Sequence, residues 1–227
     1  LRHGVKRLVY CSTQGVHGDI KSPPGDETSP IAPEDYYQET KYLGEKVVEQ
    51  FVRERGLNAV TLRPTAIYGP GDPGRWLHLF RLTRTGRFTM FGSGRTTYHP
   101  VYIDNLVDAF ILAQDRREVI GEAFIIADAE YYTLNDLVRH VGRAMGVEVR
   151  VRHLPFWPLY AAAVVCEGVC GPLRIAPPLF RRRVDWFRQV RAFRIDKARR
   201  MLGYVPRVGI EEGLRTTGEW YTRHGYL

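Results

Sequence analysis

Val5-Lys-Arg-Leu-Val-Tyr-Cys-Ser-Thr13 opens on a short apolar run, Val5 to Tyr10, preceded by Gly4, and stops in three small polar residues instead of continuing. A strand that ends this way in an open sheet marks a binding crevice at its carboxyl end. Beyond a loop rich in Pro, Gly and Asp from Lys21 to Pro33, Asp35 is placed to cap a long helix reaching about Arg55. Tyr37, Lys41, Glu45 and Val48 fall at helical spacing along it. Gly56 ends that helix, and Leu57 to Arg63 has the alternating, β-branched character of a second strand, broken by Pro64. Strand, helix and strand in this order predict an α/β fold with a parallel sheet.

The turn-rich stretch Tyr68 to Gly74 leads the chain out of the sheet. Helices are expected over about Trp76 to Thr85, over Val101 to Gln114 with a cap near Asp104, and over Thr133 to Met145. The last of these has Thr133 as its cap and Asp136 three residues on. Ala123 to Ala127 reads as a strand. From Pro155 to Pro178 the composition turns apolar, in a run too short to span a bilayer, so a buried or interfacial helix is expected. With no repeats and no long linker, the chain reads as one lobe plus a C-terminal cap. The division expected is residues 1–75 as the first part of the lobe, and residues 76–227 mostly as the second region, from which 99–127 return to the core; the motifs below make the first the catalytic part and the second the substrate-binding one.

The chain has 227 residues, 44% hydrophobic and 26% charged, the balance of a soluble globular protein. Cys11, Cys166 and Cys170 cannot all pair and show no metal or redox spacing, which predicts a reducing cytoplasmic setting and no metal site. Arg181 to Arg207 holds ten Lys or Arg against Asp185 and Asp196, the whole of the net charge of +8. Such a run is a solvated face, or else it meets a phosphorylated substrate, an anionic membrane or nucleic acid.

Four residues apart on one helix, the Tyr37 hydroxyl and the Lys41 ammonium face one small volume. Reaching a tyrosinate at neutral pH costs roughly 4 kcal/mol, which a nearby cation offsets. Thr13, on a strand end across the cleft, supplies a small hydroxyl that holds a reacting oxygen while Tyr37 moves a proton.

Three segments, Val9-Tyr-Cys-Ser-Thr-Gln-Gly-Val-His-Gly18, Tyr37-Gln-Glu-Thr-Lys-Tyr-Leu-Gly-Glu45 and Leu62-Arg-Pro-Thr-Ala-Ile-Tyr-Gly-Pro70, resemble successive motifs of the extended short-chain dehydrogenases, the NAD-dependent epimerase/dehydratase family. Tyr98-His-Pro-Val-Tyr-Ile-Asp-Asn105 resembles the family's cleft-closing element, and Lys197-Ala-Arg-Arg-Met-Leu-Gly-Tyr-Val-Pro206 its C-terminal signature. The resemblance implies the C-terminal part of a doubly wound, Rossmann-like sheet with a smaller substrate-binding α/β cap. It implies Thr13, Tyr37 and Lys41 as the catalytic set, and Cys11, Ser12, Tyr37, Lys41, Pro64 and Ile67 at NAD or NADP. Gln14, Tyr68, Arg95, His99 and Arg188 are expected at a small-molecule substrate.

The family's glycine-rich phosphate loop is not among these residues, so Leu1 reads as a cut, and the fragment alone is expected to be inactive. Gln14 and Gly15 stand where dehydratases carry an acidic pair, which disfavours dehydration. Tyr98 occupies the place of an Arg that grips a diphosphate in many nucleotide-sugar epimerases, with Arg95 nearby. The segments Leu62 to Asp72 and Pro155 to Pro178 look more like the hydroxysteroid and sterol dehydrogenase branch, whose members often touch membranes. The expected function is hydride transfer to or from a secondary alcohol or ketone of a nucleotide sugar or hydroxysteroid-like molecule. A homodimer is expected, with peripheral membrane contact as an option and no nucleic acid. The alternative is a non-catalytic dinucleotide-binding scaffold with a basic face for nucleic acid or anionic lipid.

Overall fold

In a computed structural model that describes residues 4–227, strand β1 (Leu8–Cys11), helix α1 (Tyr36–Arg55) and strand β2 (Ala59–Pro64) follow one another as the sequence predicts. The cut expected at Leu1 lies outside the described residues. β1 starts later than its apolar run because its partner does: Leu8 lies opposite Ala59 and Cys11 opposite Leu62, in parallel. Val5 to Arg7 would have to pair with the turn at Gly56 to Asn58. Asp35 caps α1, its carboxylate accepting the Gln38 N–H at 2.9 Å, and Gly56 closes it in the left-handed conformation at φ 62°. Pro64 ends β2 without breaking it, since the last residue of a strand can do without an N–H.

The chain continues through β3 (Ala66–Tyr68), α2 (Arg75–Thr83), β4 (Arg87–Phe91), β5 (Thr97–Tyr98), β6 (Pro100–Tyr102), α3 (Ile103–Asp115) and β7 (Ala123–Ile126). It ends with β8 (Tyr132–Thr133), α4 (Leu134–Ala144), β9 (Arg150–Leu154), α5 (Phe156–Cys170), α6 (Arg181–Val184) and α7 (Ile210–Arg223). α4 begins as expected, with Thr133 Oγ1 accepting the Asp136 N–H at 3.1 Å. α3 does not. Val101 and Tyr102 belong to β6, which runs parallel to β3, and the Tyr102 N–H is held at 2.9 Å by the buried Asp128 carboxylate. The N-cap is therefore Tyr102, and Asp104 sits in the first turn, where its charge complements the helix dipole.

β1, β2 and β7 form one parallel sheet in that order, confirming the α/β expectation. Its core joins Leu62, Phe124 and Ile125 to α3 and also takes in Phe193, Leu202 and Tyr204. A second core, built from Phe80, Met90, Leu137 and Leu214, unites α2, α4 and α7 with the parallel pair β4 and β9. α5 is not buried: of its residues only Ala163 is, while Trp157 is 70% and Val165 65% exposed. Among the described residues, no helix is long and apolar enough to cross a membrane. The basic run is dispersed into ion pairs with other elements, Arg181 with Glu167, Arg182 with Asp35, Lys197 with Glu122 and Arg207 with Asp108.

α1 lies close against β1 because position 44 has no side chain. The Tyr10 hydroxyl donates to the Lys41 carbonyl at 3.2 Å, and a Cβ on Gly44 would fall 2.1 Å from that hydroxyl. Gly44→Ala should lift α1 from the strand at a cost of about 1–3 kcal/mol, read as a lower midpoint in thermal unfolding. Adding Tyr10→Phe should recover part of the loss.

Candidate functional site

α1 presents Tyr37 and Lys41 on the face that meets the carboxyl end of β1. Lys41 Nζ donates to the Cys11 carbonyl at 2.9 Å and stands 5.9 Å from the Tyr37 ring centre and 5.8 Å from that of Tyr10. Tyr37 is half exposed. Thr13 follows β1 and starts a single turn of 3-10 helix over Gln14–His17, its Oγ1 accepting the Gly15 N–H at 3.1 Å. With its acceptor role taken, the Thr13 hydroxyl keeps its proton to offer to a ligand oxygen. Gln38 of α1 packs over this turn, its Cγ 3.0 Å from where a Gly15 Cβ would stand, so the helix and the Thr13 turn meet directly.

Burial pushes the Tyr37 hydroxyl above its ordinary range, the neighbouring Cys11 thiol and Asp35 add to this, and Arg182 and Arg75 oppose it. Tyr37 is therefore protonated at neutral pH, poised as an acid. Lys41, which the sequence argument placed as the cation favouring the phenolate, directs its ammonium to the Cys11 carbonyl. Beside these groups, the side-chain oxygens Ser12 Oγ, Gln14 Oε1 and Thr65 Oγ1 are buried without a hydrogen-bond partner among the described residues. They sit just past the carboxyl ends of β1 and β2, where an open sheet of this kind takes its ligand. Pro64 closes β2 there, and Ile67 of β3 is 40% exposed.

The remaining expected residues are placed elsewhere. Tyr68 is wholly buried, packed on Trp76 and Tyr102 at ring distances of 4.8 and 5.4 Å, with its hydroxyl beside the Asp128 carboxylate. His99 is also buried: Nε2 donates to the Asp128 carbonyl at 3.0 Å, and Nδ1 accepts the Phe193 N–H at 3.3 Å. Neither ring nitrogen of His99 is left for a substrate. Arg95 is exposed on the loop before β5. Arg188 pairs with Asp185 at 2.6 Å and lies over the Tyr160 ring.

A family model described as the NAD dependent epimerase/dehydratase family matches residues 1–127. The chain belongs to that family. It is 33% identical over 94% of its length to a 2-alkyl-3-oxoalkanoate reductase of Stenotrophomonas maltophilia, and covers 68% of that protein. It is 34% identical over 96% of its length to a decarboxylating sterol-4-alpha-carboxylate 3-dehydrogenase of Saccharomyces cerevisiae, and covers 66% of it. Among solved structures, a UDP-glucose 4-epimerase of Thermotoga maritima bound to UDP-glucose superposes with a TM-score of 0.74 at 27% identity, over 98% of this chain and 65% of that one. The chain thus spans about two thirds of the length of these relatives.

The orphaned oxygens of Ser12, Gln14 and Thr65 fit the family's dinucleotide, which brings many donors and acceptors to a strand-end crevice. The sequence reading passed over Arg75 near Tyr37. Arg75 and Arg182, the latter from the basic run, lie within electrostatic reach of the Tyr37 hydroxyl, and Arg191 of the same run lies near both of these arginines. The buried pair of Glu45 with Arg63 was also passed over, although Glu45 extends the Tyr37 and Lys41 spacing by one more turn.

Burial has opposite effects on the neighbours His99 and Asp128, pushing the imidazole down to about 4 and the carboxyl up to about 6. Between these values the folded protein holds an Asp128 proton that the unfolded chain releases, so this group weakens stability as pH rises. The unfolded chain holds a His99 proton that the folded protein lacks, so that group strengthens it. Asp128→Asn removes only the first effect. Its stability relative to wild type should climb by about 2–3 kcal/mol between pH 4 and pH 7 in denaturant titrations, and a parallel pH dependence would refute the assignment.

Proposed function

We propose that the chain carries the proton-transfer half of a reversible alcohol–ketone oxidoreduction, with Tyr37 as acid and base, Lys41 as its cationic partner and Thr13 holding the reacting oxygen. The observation that carries this is the meeting of these three residues at the end of β1. Bound at the strand ends, the nicotinamide supplies or accepts the hydride. Thr13 donates to the substrate oxygen, which orients the carbonyl, and the protonated Tyr37 hydroxyl delivers its proton to that oxygen as the carbonyl is reduced. The ammonium of Lys41 steadies the phenolate left behind, and its remaining N–H groups suit ribose hydroxyls. Cys11, Ser12, Pro64 and Ile67 border the cofactor edge, and Gln14 faces the substrate.

A secondary alcohol or ketone with a carboxylate nearby and an apolar body is the substrate class we favour over a nucleotide sugar. Both relatives, an oxoalkanoate reductase and a sterol carboxylate dehydrogenase, are named for acids of this kind. Arg191, over the Tyr98 ring at 5.9 Å, has no salt-bridge partner among the described residues, and Arg75 and Arg182 stand near it with Asp35 paired to Arg182 and Glu34 within reach, so the arginines outnumber the acids and an anion there is favoured. In the full-length enzyme, a 3-hydroxy acid with an alkyl chain should be turned over at least about tenfold faster than its amide. Tyr37→Phe should lower kcat by about a hundredfold or more while sparing cofactor affinity. Undiminished turnover in that variant would remove Tyr37 from the reaction.

Two further readings concern partners. Leu43, Val47 and Phe51 form an exposed apolar stripe on α1, which supports a homodimer through this helix. α5 exposes Trp157, Val165 and Val169 and is followed by Arg174 and Arg183, which have no acidic partner among the described residues, a pattern that supports contact with anionic lipid. Sedimentation should give the mass of two chains without lipid. It should give pelleting with vesicles containing phosphatidylglycerol but not with pure phosphatidylcholine.

A further inference from the structure

Below the catalytic groups, three charged or polar side chains from three different segments meet in the interior. Glu45 of α1 is 1% exposed, Arg63 of β2 6%, and His17, at the end of the turn that Thr13 begins, 2%. Arg63 grips Glu45 through two parallel bonds, Nε to Oε1 at 2.9 Å and Nη2 to Oε2 at 2.6 Å. Its Nη1 donates to His17 Nε2 at 3.1 Å. His17 Nδ1 faces the carbonyls of Ser29 and Pro30 at 3.0 and 3.2 Å, so it must carry the proton, and Nε2 offers Arg63 a lone pair. This fixes one neutral tautomer.

We propose that Glu45, Arg63 and His17 act as positioning residues, a buried joint that holds the Thr13 turn against the Tyr37 and Lys41 face of α1. This inference rests on the oxidoreductase reading of that site. Glu45 stands one turn beyond Lys41 and two beyond Tyr37, so whatever fixes it sets the height and rotation of both. Arg63 is the residue before Pro64, in the strand paired with β1, and His17 is four residues after Thr13. Each catalytic segment is therefore tied to a single guanidinium. A bidentate arginine fixes angle as well as distance, which a packed apolar contact would leave looser.

The joint also requires that His17 stay neutral. The groups facing it are Arg63 from β2, Glu45 from α1, Asp26 from the loop before α1, and the Phe193 ring at 6.2 Å. Burial and Arg63 hold the imidazole below its ordinary range, while Glu45 and the two carbonyls oppose this less strongly. A proton on Nε2 would face an N–H of Arg63 and drive the two apart, loosening the Thr13 turn.

The test uses the full-length enzyme with the 3-hydroxy acid assay. Glu45→Gln should lower kcat at least tenfold with substrate KM changed less than threefold. Leu137→Ala, which opens a cavity in the second core, serves as a control for general destabilisation. His17→Gln keeps a neutral acceptor for Arg63, so it should retain activity within a few fold at pH 8 and lack the acid limb expected of wild type at pH values below the ordinary imidazole range. If Glu45→Gln does not fold, the His17→Gln pH profile decides. An unaltered acid limb in His17→Gln, or a kcat loss in Glu45→Gln no larger than that of Leu137→Ala, overturns the joint while Tyr37→Phe still tests the oxidoreductase reading separately. An enzyme that Tyr37→Phe leaves fully active overturns both.

Discussion

The close seating of α1 on the parallel pair β1 and β2 is the constraint from which the site follows. Gly44 lets the helix approach Tyr10, Lys41 reaches the Cys11 carbonyl, and Glu45 closes on Arg63 one turn below. Each contact ties the helix to a strand, and together they fix the helix face that carries Tyr37. The buried ion pair gives little net stability once the cost of removing both charges from water is counted, but it specifies one register of helix on sheet.

Much of this was legible in the sequence, because local rules and tertiary demands agree there. Asp35 and Gly56 bound α1 as capping chemistry requires, Thr133 and Asp136 open α4, and the order of strand, helix and strand produces the parallel sheet. Lys41, on one helix with Tyr37, reaches the carboxyl end of the strand that Thr13 follows. α3 was misplaced by two residues at its start, because the pairing of Val101 with Ile67 across β6 and β3 cannot be seen from helical periodicity. Long-range pairing overrode a local pattern.

Tyr68 and His99 show the same limit at the level of side chains. Their motifs resemble cleft elements, yet both are interior, Tyr68 packed between Trp76 and Tyr102 and His99 held by its ring to the Asp128 carbonyl. The polarity of a residue type does not reveal which way its Cα–Cβ bond points. The apolar run after Pro155 was readable as a helix, but its exposure depends on what packs beside it. The basic run shows the converse: four of its cations, Arg181, Arg182, Lys197 and Arg207, pair with acids of other elements, and Arg182 and Arg191 join Arg75 from outside the run near Tyr37.

The account turns on Tyr37 and Thr13 working on the oxygen of a carbon that exchanges hydride with nicotinamide. The most direct measurement supplies the full-length enzyme with cofactor deuterated at the transferable position of C4 and a 3-oxo acid, and follows the label by mass spectrometry. Deuterium at the carbinol carbon of the product, abolished in Tyr37→Phe, is the result predicted. Product without the label, or label transfer undiminished by that substitution, would contradict it.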